Sequence, residues 1–182
     1  MVVSAEGIDS IPVADRPFYN GVLPGYFEAI GTRIIRGRTF LEGEGKPGRR
    51  AAVIDEAMAH YLWPRQNPLG KCIYLGGPSD DHACTPVVGV AENVLNGSLD
   101  ERMMQYYVPL DYLPPTGFRS VIVRTADDRM AALAQLRQSL QTLRPGLPAP
   151  RMRFLGDLMA PQVRPWRMGA SLFSAFGLLA LV

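Results

Sequence analysis

Lysine is nearly missing from this chain: Lys46 and Lys71 are the only lysines among 19 Lys+Arg, and the remainder are arginines. They are spread along the sequence without a dense run, which reads as a solvated surface. A formal net charge of +2 is too small to argue for a nucleic-acid interface. Cysteine is equally scarce. With 2 Cys, the chain is neither a disulfide-dense miniprotein nor the carrier of a four-cysteine zinc module. Met1 to Gly7 contains no basic leader, no long apolar stretch and no secretory cleavage site. No repeat by identity and no low-complexity segment appears. What remains is ordinary globular composition, 47% hydrophobic and 20% charged, which excludes wholesale disorder. At 182 residues there is room for one domain or for two small subdomains sharing a core.

A pass along the chain gives alternating short elements. Arg16 to Leu23 has the aromatic and β-branched content of a strand, and Pro24 suits the first turn of a short helix bearing Tyr26, Phe27 and Ile30. Gly31 stops that helix. Thr32 to Phe40 reads as a strand interrupted by Gly37, and residues 41–50 as an exposed connection. Arg50 to Ile54 is a strand leading to Asp55, an N-cap for a helix from Glu56 to Trp63 that Pro64 ends. Asn67-Pro68-Leu69-Gly70 is a turn. Lys71 to Leu75 and Pro86 to Ala91 are strands flanking a polar loop, and Tyr106 to Val108 is another. Ser120 to Thr125 (SVIVRT) is the clearest strand pattern in the chain. Asp127 or Asp128 caps a helix with Met130, Leu133, Leu136, Leu140 and Leu143 at three- and four-residue spacings. Arg151 to Leu155 is a final strand.

Chemistry is hard to find. Gly70-Lys71-Cys72 lacks the first glycine and the hydroxyl of a phosphate loop, and follows a helix rather than a strand. Glu56 and His60 lie four apart on a helix, two ligands where zinc needs three or four. A surface pair is the better reading. Asp80, Asp81, His82 and Cys84 sit at a hairpin tip, where turn chemistry favours Asp. Neither histidine has a convincing nucleophile and orienting acid, and Asp127-Asp128 are adjacent and suited to capping. The expectation is no catalytic residue, no cofactor-binding residue and no metal site.

Cys72 and Cys84 are different. If their strands form a hairpin centred on Pro78, the two residues are directly opposed, within Cα reach of a disulfide. A bridge persists only in an oxidising compartment; the alternative is two independent thiols.

From Met168 to Val182 the sequence MGASLFSAFGLLALV carries no charge and follows Arg164-Pro165-Trp166-Arg167. It is shorter than the roughly 20 apolar residues that span a bilayer. Trp and Arg at its mouth suit a membrane interface. The expectation is the start of a transmembrane helix cut off by the chain end; the alternative is a core helix.

The order of motifs resembles a known family. Val22-Leu23-Pro24-Gly25-Tyr26-Phe27-Glu28-Ala29-Ile30-Gly31, then Arg36-Gly37-Arg38-Thr39-Phe40, is similar to the opening of MacB-like periplasmic core domains of FtsX-type ABC transporter permeases. Ala52 to Ala59, Leu62-Trp63-Pro64, Asn67-Pro68-Leu69-Gly70-Lys71, Val87-Val88-Gly89-Val90, Tyr107 to Leu110, Val121 to Thr125 and Phe173 to Leu181 continue the likeness in order. The motif residues that stand out as structural are Pro24, Phe27, Gly31, Gly37, Arg38, Pro64, Pro68, Gly70 and Gly89.

The resemblance implies an α+β fold: a porter-like part from two strand–helix–strand halves, with a mainly β, Sabre-like subdomain inserted. On that scheme residues 1–48 are the first half, 49–112 the insertion, 113–157 the second half, and 158–182 the connector and truncated membrane helix. It also implies a bacterial inner-membrane permease with this domain on the periplasmic side and a cytoplasmic ABC ATPase as partner. ATP would be bound by that ATPase, and a homodimer or paired permease and a periplasmic adaptor are further implied partners. Arg164 and Arg167 vote for the opposite orientation by the positive-inside rule, but two arginines weigh little against a missing first helix. The function implied is coupling of ATP-driven helix motion to export or to an envelope partner. The other class is a static module docking an adaptor or substrate, with residues 41–50 and 76–84 as its contacts.

Overall fold

The structure is a computed structural model. It describes residues 2–8, 11–12, 15–46, 48–76, 83–94, 103–112, 120–126, 129–143, 151–157, 169–170 and 173–174. The chain divides into two compact units, Met1–Arg124 and Thr125–Val182.

The first unit is built on a single sheet. Its strands are β1 (Val2–Ala5), β2 (Phe18–Val22), β3 (Ile34–Gly37), β4 (Ala52–Asp55), β5 (Cys72–Gly76), β6 (Cys84–Ala91) and β7 (Gln105–Pro109), with helices α1 (Tyr26–Ile30) and α2 (Glu56–Leu62). The strand order is β1-β5-β6-β4-β7-β2, and β3 pairs with β6 off that path. β4 is parallel to β6 and antiparallel to β7, and β2 is parallel to β7. Strands from residues 1–48 and from residues 49–112 thus share one sheet.

The central strands explain the core. β4 and β7 are buried along their whole length, as strands covered on both faces must be. Their side chains alternate between two apolar clusters. Ala52, Ile54, Tyr106 and Val108 join Met58 and Leu62 of α2 on one face. Val53 and Tyr107 join Phe27 of α1, Val22 and Phe40 on the other. The short helices are therefore lids on opposite faces, positioned by the two-residue period of the strands.

Local signals account for both helices. Leu23-Pro24-Gly25-Tyr26 forms a turn closed by Tyr26 N–H donating to Leu23 O at 3.2 Å, with Gly25 at φ 87. Proline then left-handed glycine is the type II arrangement, so Pro24 belongs to this turn rather than to the first turn of the helix. Gly31, at φ 80, is the C-cap and donates to Phe27 O. Asp55 caps α2 by accepting from Met58 N at 2.8 Å.

Several expectations need correction. Ser120 to Thr125 is not a strand. Val121 is 89% exposed and Val123 50% exposed, and Arg124 donates its Nε–H to Ala29 O at 2.9 Å. The segment is held by a side chain at the end of α1 rather than by a ladder, and β-branched content alone makes no strand without a partner. In the second unit α3 (Arg129–Leu143) forms over the expected periodic run. Arg151 to Phe154 is irregular and Leu155 opens a single helical turn, so the expected final strand is absent there as well. No strand is expected at Val2–Ala5, where β1 forms the outer strand beside β5. Of the C-terminal apolar run, only 169–170 and 173–174 are described. Among the described residues no helix is long and apolar enough to cross a membrane.

Candidate functional site

The singled-out residues gather in two places. Around α1, Pro24 shapes the entry turn, Phe27 is buried against Tyr107 with ring centroids 4.9 Å apart, and Gly31 closes the exit. A Cβ on Gly31 would lie 2.5 Å from Arg124 Nη2, so the missing side chain admits the guanidinium.

The second cluster is the seam between β3 and β6. Gly37 and Gly89 are partners in the ladder. Arg38 N donates to Val88 O at 3.0 Å, and Gly70 N donates to Val87 O at 2.9 Å. Pro68 is fully buried beneath this turn. Two irregularities occur here. Between Ala52↔Val87 and Val53↔Gly89, β6 advances two residues while β4 advances one, leaving Val88 extra. Between Ile34↔Ala91 and Arg36↔Val90, Ile35 is extra in β3. Bulges of this kind increase local twist and curl a sheet. Pro64 stands apart, exposed just after Trp63, the C-cap of α2.

Two ion pairs flank the seam, Arg33–Glu92 at one end and Arg38–Glu44 at the other, and neither is expected from the sequence. Arg38 grips Glu44 with Nη2 to Oε1 at 2.7 Å and Nη1 to Oε2 at 3.0 Å, while Leu41 N donates to the same carboxylate at 2.9 Å. These bonds hold Glu44 below, and Arg38 above, their ordinary pKa values. Six residues of separation across turns carry no local signal.

Asp55 is the unusual titratable group. It is 1% exposed, and burial pushes its pKa up to about 6 against the opposing pull of backbone N–H donors from Met58 and Gln105. Tyr106 and Tyr107 are raised mainly by burial. The Tyr107 hydroxyl donates to Gln105 Oε1 at 3.3 Å, and Gln105 Nε2 donates to Val94 O at 2.8 Å. Asp55 is therefore buried in the core with its carboxylate held by backbone donors.

Cys72 and Cys84 are joined in this structure with Cα atoms 5.1 Å apart. They are not directly opposed: Cys84 lies across from Tyr74 and Cys72 across from Pro86, so they occupy diagonal positions. The hairpin is centred one residue beyond the expected Pro78. Glu56 and His60 are both exposed on α2. Asp80, Asp81 and His82 lie outside the described residues. Among the described residues no group of three His, Cys, Asp or Glu is placed to hold a metal ion.

But for Val2, the mixed sheet lies within the stretch that a family comparison matches. Residues 3–143 match the MacB-like periplasmic core domain. The chain belongs to that family. Against the uncharacterized ABC transporter permease YknZ of Bacillus subtilis (strain 168), this MacB-like domain is 29% identical over 94 residues, which is 52% of this chain and 22% of that protein. The chain thus matches only about a fifth of that relative's length. The periplasmic region of MacB from Actinobacillus actinomycetemcomitans superposes with a TM-score of 0.56 at 19% identity, covering 78% of this chain and 62% of that one. A domain of a putative permease protein from Porphyromonas gingivalis gives a TM-score of 0.54 at 14% identity, covering 88% and 77%. At those identities the two structures speak for the fold alone.

Proposed function

We propose that this MacB-like domain is the extracytoplasmic part of an ABC transporter permease and passes ATP-driven movement of membrane helices to an exported substrate or an envelope partner. The observation that carries the reading is the family match over residues 3–143, whose first unit is built on one continuous sheet. That sheet is suited to move as a unit. Its glycine seam, its buried central strands and the joined Cys72 and Cys84 leave little internal slack. A bridged hairpin also fits an oxidising, periplasmic setting outside the inner membrane.

On this reading residues 168–182 begin a membrane helix, and 156–163 connect it to the domain with little slack, so a piston or tilt is transmitted rather than absorbed. The porter-like halves and the inserted subdomain are the parts of this extracytoplasmic domain. A cytoplasmic ATPase, not this domain, binds ATP. Pairing with a second permease subunit and contact with a periplasmic adaptor complete the assembly. The domain carries no chemistry of its own.

The test is a flexible Gly/Ser insertion near Pro161 in the complete permease. ATPase activity is expected to persist while output is lost and the domain stays folded; unchanged output would sink force transmission. The second reading, static docking through residues 41–50 and 76–84, predicts crosslinks from those loops to a partner regardless of ATPase state. Crosslinks that appear in only one nucleotide state favour transmission.

A further inference from the structure

A groove of about 440 Å³ lies between β3 and the end of α2, within the size range of small-ligand sites. One wall is the bulge of β3. A regular pleat would send Ile35 and Arg36 to opposite faces; with the extra residue, both line the groove. The other wall is the turn after α2, where Trp63, Arg65, Gln66 and Asn67 follow closely. Arg65 holds this turn at φ 61, a conformation that non-glycine residues rarely adopt.

Donors outnumber acceptors here. Gln66 Oε1 already accepts from Lys71 Nζ, and Asn67 Oδ1 accepts from Leu69 N at 3.2 Å. With one lone pair of each oxygen engaged, each amide still offers its NH₂ group. Arg36 and Arg65 have no ion-pair partner among the described residues. Trp63 is 4% exposed, and its Nε1 is buried without a hydrogen-bond partner. Lys71 Nζ lies 5.4 Å from the centroid of the same indole, adding a third cation nearby. Glu56 is the one carboxylate on the lining, and Ile35 is its exposed apolar side chain.

We propose that this groove binds a short peptide segment with an acidic side chain beside an apolar one. The carboxylate sits between Arg36 and Arg65, peptide carbonyls take the amide donors, and the apolar side chain covers Ile35, which is 41% exposed. A bare anion leaves the exposed Ile35 uncovered. A neutral ligand covers two cations without supplying a counter-charge, which is costly. Among the described strands β3 pairs with β6 alone, so an extended peptide also finds an edge to lie along. The inference does not depend on whether the domain transmits force.

The two tryptophans, Trp63 and Trp166, make the test direct. In the full chain labelled with ¹⁵N-tryptophan, Trp166→Phe identifies the Trp63 indole signal. Titration with acetyl-Leu-Glu-Val-amide is expected to move that signal saturably, and acetyl-Leu-Gln-Val-amide to bind about tenfold more weakly, as loss of a charge-assisted contact implies. Arg36→Gln and Arg65→Gln should each weaken the glutamate peptide several-fold. Both side chains are exposed, so the variants should stay folded, read as an unchanged urea midpoint. Equal binding of the two peptides, no movement of the Trp63 signal, indifference to both arginine substitutions, or the same shift from sodium acetate alone would each overturn the proposal.

Discussion

Gly37 and Gly89 face each other across the β3–β6 ladder, and neither has room for a side chain. A Cβ on Gly37 would stand 2.3 Å from Val88 O, and one on Gly89 2.2 Å from Arg38 O. Both obstacles are backbone, which yields less readily than a side chain. Gly70 is the natural control, because it has φ +80 but open space around its missing Cβ. Gly70→Ala should cost about 1 kcal/mol, the penalty of the left-handed region alone. Gly37→Ala and Gly89→Ala should cost roughly 2–4 kcal/mol each, read as a lower urea midpoint. Equal losses at all three positions would show that close approach is not the reason for glycine at the seam.

Asp55 makes stability fall as pH rises across a defined window. Its folded pKa is raised to about 6, above the value near 4 of an unfolded chain. The folded state therefore holds the extra proton between those values, and its contribution is fully present below pH 4 and lost as pH climbs through 6. The expected loss is on the order of 2 kcal/mol. Urea unfolding at pH 4.5 and pH 7, compared between the native chain and Asp55→Asn, isolates this group. The variant should lack this part of the pH dependence, whatever its absolute stability. An identical difference in both proteins would mean that Asp55 does not titrate in this range.

What the sequence made legible was local. Asp55 before a periodic helix, Gly31 after one and Pro24-Gly25 in a turn each act through their nearest neighbours, and α1, α2, β3 and β4 appear where those signals point. What it hid depends on partners. Val121-Ile122-Val123 has stronger β character than Val2-Val3-Ser4-Ala5, yet the latter pairs with β5 and the former with no described strand. The cysteine register was missed because a loop of unknown geometry sets the hairpin centre. The seam was visible only as a glycine interrupting a strand. The two bulges and the Arg38–Glu44 grip, which give it shape, have no signature in residue order.

The joined Cys72 and Cys84 should matter to stability, because a bridge across a 12-residue separation restricts the unfolded chain. For a loop of this size the effect is about 2–3 kcal/mol. Protein from its native compartment, denatured before thiol titration, should yield no free thiol, and adding a reductant should lower its unfolding midpoint. A variant with serine at both positions should start at the lower midpoint and ignore the reductant. Two titratable thiols in the untreated protein would remove the bridge from the account.

Arg124 anchors the SVIVRT segment to α1. Its guanidinium donates to Ala29 O and fills the space that Gly31 leaves open, satisfying a carbonyl in the last turn of α1. Arg124→Gln is too short to reach the same carbonyl. The loss should be about 1 kcal/mol, as for an exposed charge-assisted hydrogen bond. Because this contact stands in for a ladder, hydrogen exchange should rise in the last turn of α1 and in residues 120–124 together, while β4 and β7 keep their protection. Gly31→Ala should reproduce that pattern by pushing the guanidinium aside, with an added left-handed penalty of its own at φ +80. If instead residues 120–124 prove strongly protected in the native chain and stay so in both variants, they are paired as a strand, and the side-chain anchor is not what holds them.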